Sequence, residues 1–131
     1  MNEYKEIENI DDIRTLVDSF YAKVREDELL GPIFEERIHN SWPQHLKKMY
    51  AFWETLLLGR HSYSGSPFIK HADLPISESH FDRWLHLFYE TVDEHFTGEK
   101  AGEAKKKAGN MALMFLSKLS YLKKTGAKPL K

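Results

Sequence analysis

Apolar residues along the chain recur at the spacing of helices. Ile13, Leu16, Val17, Phe20, Tyr21 and Val24 recur three and four residues from one another, as in 13/16/17 and 17/20/21, which lays them along one helical face. Asn9 stands where an N-cap belongs, and Asp12 falls in the favourable first turn. The pattern breaks at ELLGPIF, where Gly31 and Pro32 discourage continuation. A second helix opens at SWPQ, with Ser41 as the expected N-cap, Pro43 tolerated in the first turn and Gln44 completing a capping box. Its inner face reads His45, Met49, Phe52, Trp53, Leu56 and Leu57, and Gly59 is the expected stop. The inward imidazole of His45 needs a partner, because burying it unpaired is costly.

Two more helices follow a long gap. Phe81, Trp84, Leu85, Phe88, Tyr89 and Val92 share a face, with Ser77 or Ser79 as cap and Gly98 as break. From Glu99 the last helix carries Ala101, Ala104, Ala108, Met111, Ala112, Phe115, Leu119 and Leu122. The lysines at 105 to 107 read as its solvated face, and Asp93 and Glu94 as surface charges. Between Gly59 and Ser77 the text GRHSYSGSPFIKHADLPI has no sustained period, with room for one helical turn near Phe68 to Ala72. So long an irregular stretch exceeds what an ordinary connector needs. The expectation is an all-α fold of four main helices in one domain over 1–131, with a frayed N-terminus to about residue 9 and a tail from about 125.

Composition narrows the chemistry. The absence of cysteine removes disulfides, thiolate nucleophiles and thiolate metal sites. A formal charge of -1 gives no nucleic-acid footprint. No apolar run approaches a membrane span and the N-terminus has no apolar signal core, so a cytoplasmic protein is expected. Eight Phe, six Tyr and three Trp are a large aromatic supply, able to fill a core or to line a flat ligand.

The candidate chemistry centres on His71, in PFIKHADLP. Pro67 and Pro75 restrict that segment while Phe68 and Leu74 can anchor it inward, so either a surface loop or a positioned ligand fits. His45, Tyr21 and Trp84 add an imidazole, a phenol and an indole on inner helix faces. One imidazole, neutral hydrogen-bond donors and many rings suit a haem: iron takes an axial imidazole, rings cover the porphyrin, and donors steady a ligand. Zinc suits poorly, since no H-x-x-x-H pair with a Glu base occurs and His39, His80 and His95 fall at positions expected to be exposed. No G-x-S-x-G turn supports a hydrolase, and there is no phosphate-binding or dinucleotide fingerprint.

Together FYAKVREDELLGPIF, WPQHLKKMYAFWETLLLG, YSGSPFIKHADLPI and HFDRWLHLFYETVDEHF resemble the group III branch of the truncated haemoglobins, over about residues 10 to 120. The resemblance implies two antiparallel helix pairs, a two-over-two sandwich, around haem b. By it His71 is the proximal iron ligand, Tyr21 and Trp84 are distal donors, and His45 occupies the distal histidine position. Phe20, Phe34, Phe52, Trp53, Phe68 and Trp84 are the wall candidates. Dioxygen, carbon monoxide and nitric oxide are the implied ligands of this presumed monomer. Detoxification of nitric oxide or peroxide is compatible with the resemblance, and would need a separate reductase or other external reductant. The competing expectation is a haem-free helical interaction domain, in which the aromatic stripes form a solid core or a partner groove. A haem-based sensor is weaker, because no output domain accompanies the globin pattern.

Overall fold

The computed structural model describes residues 5–59 and 77–125. Within them run α1 (Ile10–Glu26), α2 (Gly31–Ile38), a 3-10 turn (His39–Ser41), α3 (Trp42–Leu58), α4 (Glu78–His95) and α5 (Glu99–Thr125). α1 packs on α3 and α4 on α5, and the contact of α1 with α4 joins the two pairs. The arrangement is the two-over-two sandwich of truncated globins.

α1 starts and packs as its periodicity requires. The Asn9 side chain accepts from the Asp12 amide at 3.0 Å, and the Asp12 carboxylate accepts in return from the Asn9 amide at 3.3 Å. This reciprocal box satisfies two donors that a helix start leaves over. Ile13, Leu16, Val17, Phe20, Tyr21 and Val24 are all buried. They meet Trp53 and Leu57 of α3 and Leu87, Phe88 and Val92 of α4 in one core. Ala104 and Ala108 on α5 belong to that core too; side chains this small let a neighbouring helix approach closely. Gly59 ends α3 in the left-handed region, as expected.

Four details depart from the sequence expectations. α1 ends at Glu26, before Gly31 and Pro32 are reached, and those two residues open α2, a helix of eight residues. Proline suits a first helical turn because its missing amide would find no intrahelical partner there anyway. α3 is entered through the 3-10 turn, and Ser41 makes no side-chain cap. The turn rotates Trp42 inward, where it is buried.

The third departure concerns the N-terminus. Ile7 is only 1% exposed, and the Glu6 carboxylate accepts from the amides of Glu99, Lys100 and Ala101 at 2.8, 2.7 and 3.3 Å. An anion at a helix N-terminus meets both the orphan donors and the positive end of the helix dipole. Gly98, at φ 98°, is where the carboxylate passes: a Cβ there would lie 2.5 Å from a Glu6 oxygen. Lys5–Asn9 is therefore docked rather than frayed.

The lysine run is the fourth. Lys107 donates to the Leu56 carbonyl at 2.6 Å, tying α5 to the carbonyl end of α3, and Lys105 pairs with Asp93. Only Lys106 of the three is fully exposed. Asp93 and Glu94 are surface charges as read, with Glu94 bonded to Lys23 at 2.7 Å. His39 is exposed as expected, whereas His80 and His95 are half-buried. The His80 Nδ1 accepts from the Ser77 amide at 3.0 Å, so the side chain is engaged at the start of α4.

Candidate functional site

Tyr21 lies at the centre of a ring cluster assembled from three helices. Its ring centroid is 4.9 Å from Phe20 on α1, 6.1 Å from Phe34 on α2, and 5.9 and 5.1 Å from Trp42 and His45 on α3. All four contacts are edge-on, the geometry that aromatic quadrupoles favour. The spacing explains the convergence. Trp42 and His45 are one helical turn apart on α3, and the short α2 carries Phe34 over the same end of α1.

Trp84 reaches the cluster from α4. Its indole stands perpendicular to Phe20 at 5.5 Å and stacks on Phe88 at 5.7 Å. Phe20 thus lies between Tyr21 and Trp84, and brings the two predicted donors to neighbouring positions.

Those donors remain uncommitted. Among the described residues neither the Tyr21 hydroxyl nor the Trp84 indole N–H makes a hydrogen bond. Tyr21 is 6% exposed, and burial raises its phenol far above the ordinary tyrosine range. The group therefore stays a neutral donor at any physiological pH. Trp42 is the contrast: its indole N–H is already given to Glu35 at 3.1 Å. Nε2 of His45 is also buried, within the cluster.

The wall candidates divide into two kinds. Phe20 is 1% and Trp53 3% exposed, and both are enclosed by protein, Trp53 stacking on Phe88 at 4.9 Å. They serve the core and support the site from behind. Phe34, Phe52 and Trp84 are half-buried, as are His45, Leu46 and Met49, so these side chains keep edges open to a surface other than their own packing. His71 and Phe68 lie outside the described residues. Trp42 is the participant that sequence reading missed. Its position three residues before His45 is the available signal.

The donor set fits a flat apolar group carrying a ligand that accepts hydrogen bonds. Half-buried rings offer it a face, and two neutral donors, Tyr21 and Trp84, make no hydrogen bond among the described residues. Among the described residues no group of three histidines or carboxylates could hold a bare metal ion.

Known proteins match this arrangement. The bacterial-like globin family model covers residues 2–116. The group 3 truncated hemoglobin ctb of Campylobacter jejuni is 37% identical over 115 residues, spanning 85% of this chain and 91% of that protein. The crystal structure of a group III truncated hemoglobin from Campylobacter jejuni superposes with a TM-score of 0.83 at 36% identity, over 89% of this chain and 95% of that one. Sequence and fold agree: the chain belongs to the group III truncated haemoglobins.

Proposed function

We propose that Phe34, Phe52 and Trp84 would line a haem b site, that His71 would hold the iron, and that Tyr21 and Trp84 would donate hydrogen bonds to a bound gas. As a truncated haemoglobin the chain binds haem and, through it, diatomic ligands. Haem, when bound, supplies an iron atom able to take dioxygen, carbon monoxide or nitric oxide.

The residues of this chain supply the rest. Tyr21 and Trp84 would offer a neutral O–H and N–H, respectively, to a ligand that gathers partial negative charge. In a site closed to water such preorganised donors act strongly, because no solvent competes for them. Phe20 and Phe88 hold the Trp84 indole at a fixed inclination, and burial keeps the Tyr21 proton in place. Two donors on one ligand slow its release, which suits retention or reaction better than bulk delivery.

The observation that carries this reading is the pair of uncommitted donors, Tyr21 and Trp84, on either side of Phe20. Its test is the visible spectrum of protein reconstituted with haem, in ferric, reduced and carbon-monoxide-bound forms, beside His71→Ala. A sharp Soret band that shifts with carbon monoxide is expected, and the variant is expected to lose haem or show an altered reduced spectrum. A folded protein that stays colourless would instead favour the haem-free interaction domain. Wild-type haem affinity and spectrum in His71→Ala would move the axial ligand elsewhere.

A further inference from the structure

Trp42 is held by two charged residues, neither of which the ligand reading requires. Its indole N–H donates to the Glu35 carboxylate of α2, at 3.1 Å to one oxygen and 3.4 Å to the other. The Arg25 guanidinium of α1 sits 4.5 Å over its ring. Arg25 in turn pairs with Glu35 at 3.4 Å. The indole itself is 6% exposed.

The far side of that ring touches the site. Trp42 stands 5.7 Å from His45 at 89°, while Tyr21 stands 5.1 Å from the same imidazole at 87°. The His45 ring is wedged between two aromatic neighbours, each presented nearly at right angles. A histidine turns about two soft torsions, and here the packed rings on either side limit that freedom. Tyr21 also contacts Trp42 directly, at 5.9 Å.

We propose that Trp42 is a positioning residue for the distal side of the pocket, with Glu35 and Arg25 forming a latch that holds its indole and so sets the orientation of His45 and Tyr21. The latch joins α1, α2 and α3 at the one corner where all three meet the ring cluster. Its charged members are about half exposed, at 49% for Arg25 and 48% for Glu35. An exposed pair rearranges at little cost, whereas the buried ring it holds cannot turn without displacing its neighbours. Movement of His45 is thereby coupled to a surface contact.

The proposal rests on the haem reading, and the test separates the two. Wild type, Glu35→Gln, Glu35→Leu and Trp42→Phe are loaded with haem, and three quantities are compared: the C–O stretching band of the carbon monoxide form, the dioxygen release rate and the thermal midpoint. Wild type is expected to give one narrow band. Glu35→Gln keeps an acceptor for the indole and should hold band and rate within about twofold of wild type. Glu35→Leu and Trp42→Phe should split or shift the band and alter release by roughly three- to tenfold, the scale set by one neutral hydrogen bond.

An unmoved band and release rate in both Glu35→Leu and Trp42→Phe would overturn the latch, even if their thermal midpoints fell, since packing alone would explain that. Glu35 is half exposed, so Glu35→Leu carries the test should Trp42→Phe fold poorly. A wild-type protein with no Soret band would defeat the haem reading itself, and the latch with it. A normal Soret band in wild type, with Glu35→Gln and Glu35→Leu giving the same C–O band and release rate, would defeat the latch only.

Discussion

Two aromatic clusters share α1 and α4 but have opposite characters. In the core, Phe20, Trp53 and Phe88 lie within 1–3% exposure and interlock face to face and edge to face. In the second cluster, Phe34, His45, Phe52 and Trp84 are also rings on these packed helices, yet they remain half-buried. The difference is what closes them. Core rings are enclosed by one another, while the rings of the second cluster keep part of their surface exposed. Their donors follow the same division. Thr91 in the core donates to the Leu87 carbonyl at 2.7 Å, whereas Tyr21 and Trp84 give their protons to no protein group among the described residues. A cluster built only for stability has no reason to withhold two donors.

That contrast is best broken from the core side first. Phe88→Ala is expected to cost about 3–5 kcal/mol, because it opens a cavity among rings that cannot collapse into it. Chemical denaturation should show the loss with and without haem. Equal stability to wild type would mean that the core is less solid than its burial indicates.

Tyr21→Phe tests the other cluster and should separate function from stability. The hydroxyl is buried without a hydrogen bond among the described residues, so its removal is expected to leave haem-free stability unchanged or raised by up to ~1 kcal/mol. Dioxygen release should quicken by roughly tenfold, one charge-accepting hydrogen bond being worth about that much. Stopped-flow release and thermal melting on the same samples read both effects. A lowered thermal midpoint combined with unchanged release would place Tyr21 in the core class after all.

The smallest effect sharpens the boundary between the clusters. At the end of α1, Asp27 caps the chain by accepting from Leu29 and Leu30 at 3.1 and 3.0 Å and from Arg83 of α4 at 2.5 Å. Burial pushes its carboxyl up, but the Leu30 amide and Arg83 outweigh burial and hold it below the ordinary value. A depressed carboxylate contributes stability above the unfolded value of about 4, and that contribution is lost as pH falls through the lower folded value. Thermal midpoints taken from pH 6 to 2 should therefore fall more steeply in wild type than in Asp27→Asn. Parallel curves would show that this bridge between α1 and α4 contributes nothing measurable.

How far these features could be read before folding varies by residue. The α1 face and the Asn9 cap follow from local rules, since a period near 3.6 and an oxygen at the N-cap act within a few residues. The short α2 escaped because two turns supply too few repeats for a pattern, and Pro32 reads equally well as a stop and as a start. Trp42 was hidden for a related reason: a 3-10 turn before α3 decides which way the residue faces. Glu6 and Lys107 look like surface charges in the text, yet each caps a backbone end on a distant segment. No local window contains both partners.

The chain by itself therefore determined four amphipathic helices, their inner faces and a family pattern specific enough to name His71, Tyr21, Trp84 and His45. These are properties of periodicity and residue type, which are written along the sequence. Tertiary structure decided which rings close on protein and which stay open, and that Glu6 caps α5. It also brought Arg25, Glu35 and Trp42 together behind His45. Each of those outcomes depends on the relative placement of separate helices, and burial or pairing across helices is a property of the packed chain that no single stretch of it carries.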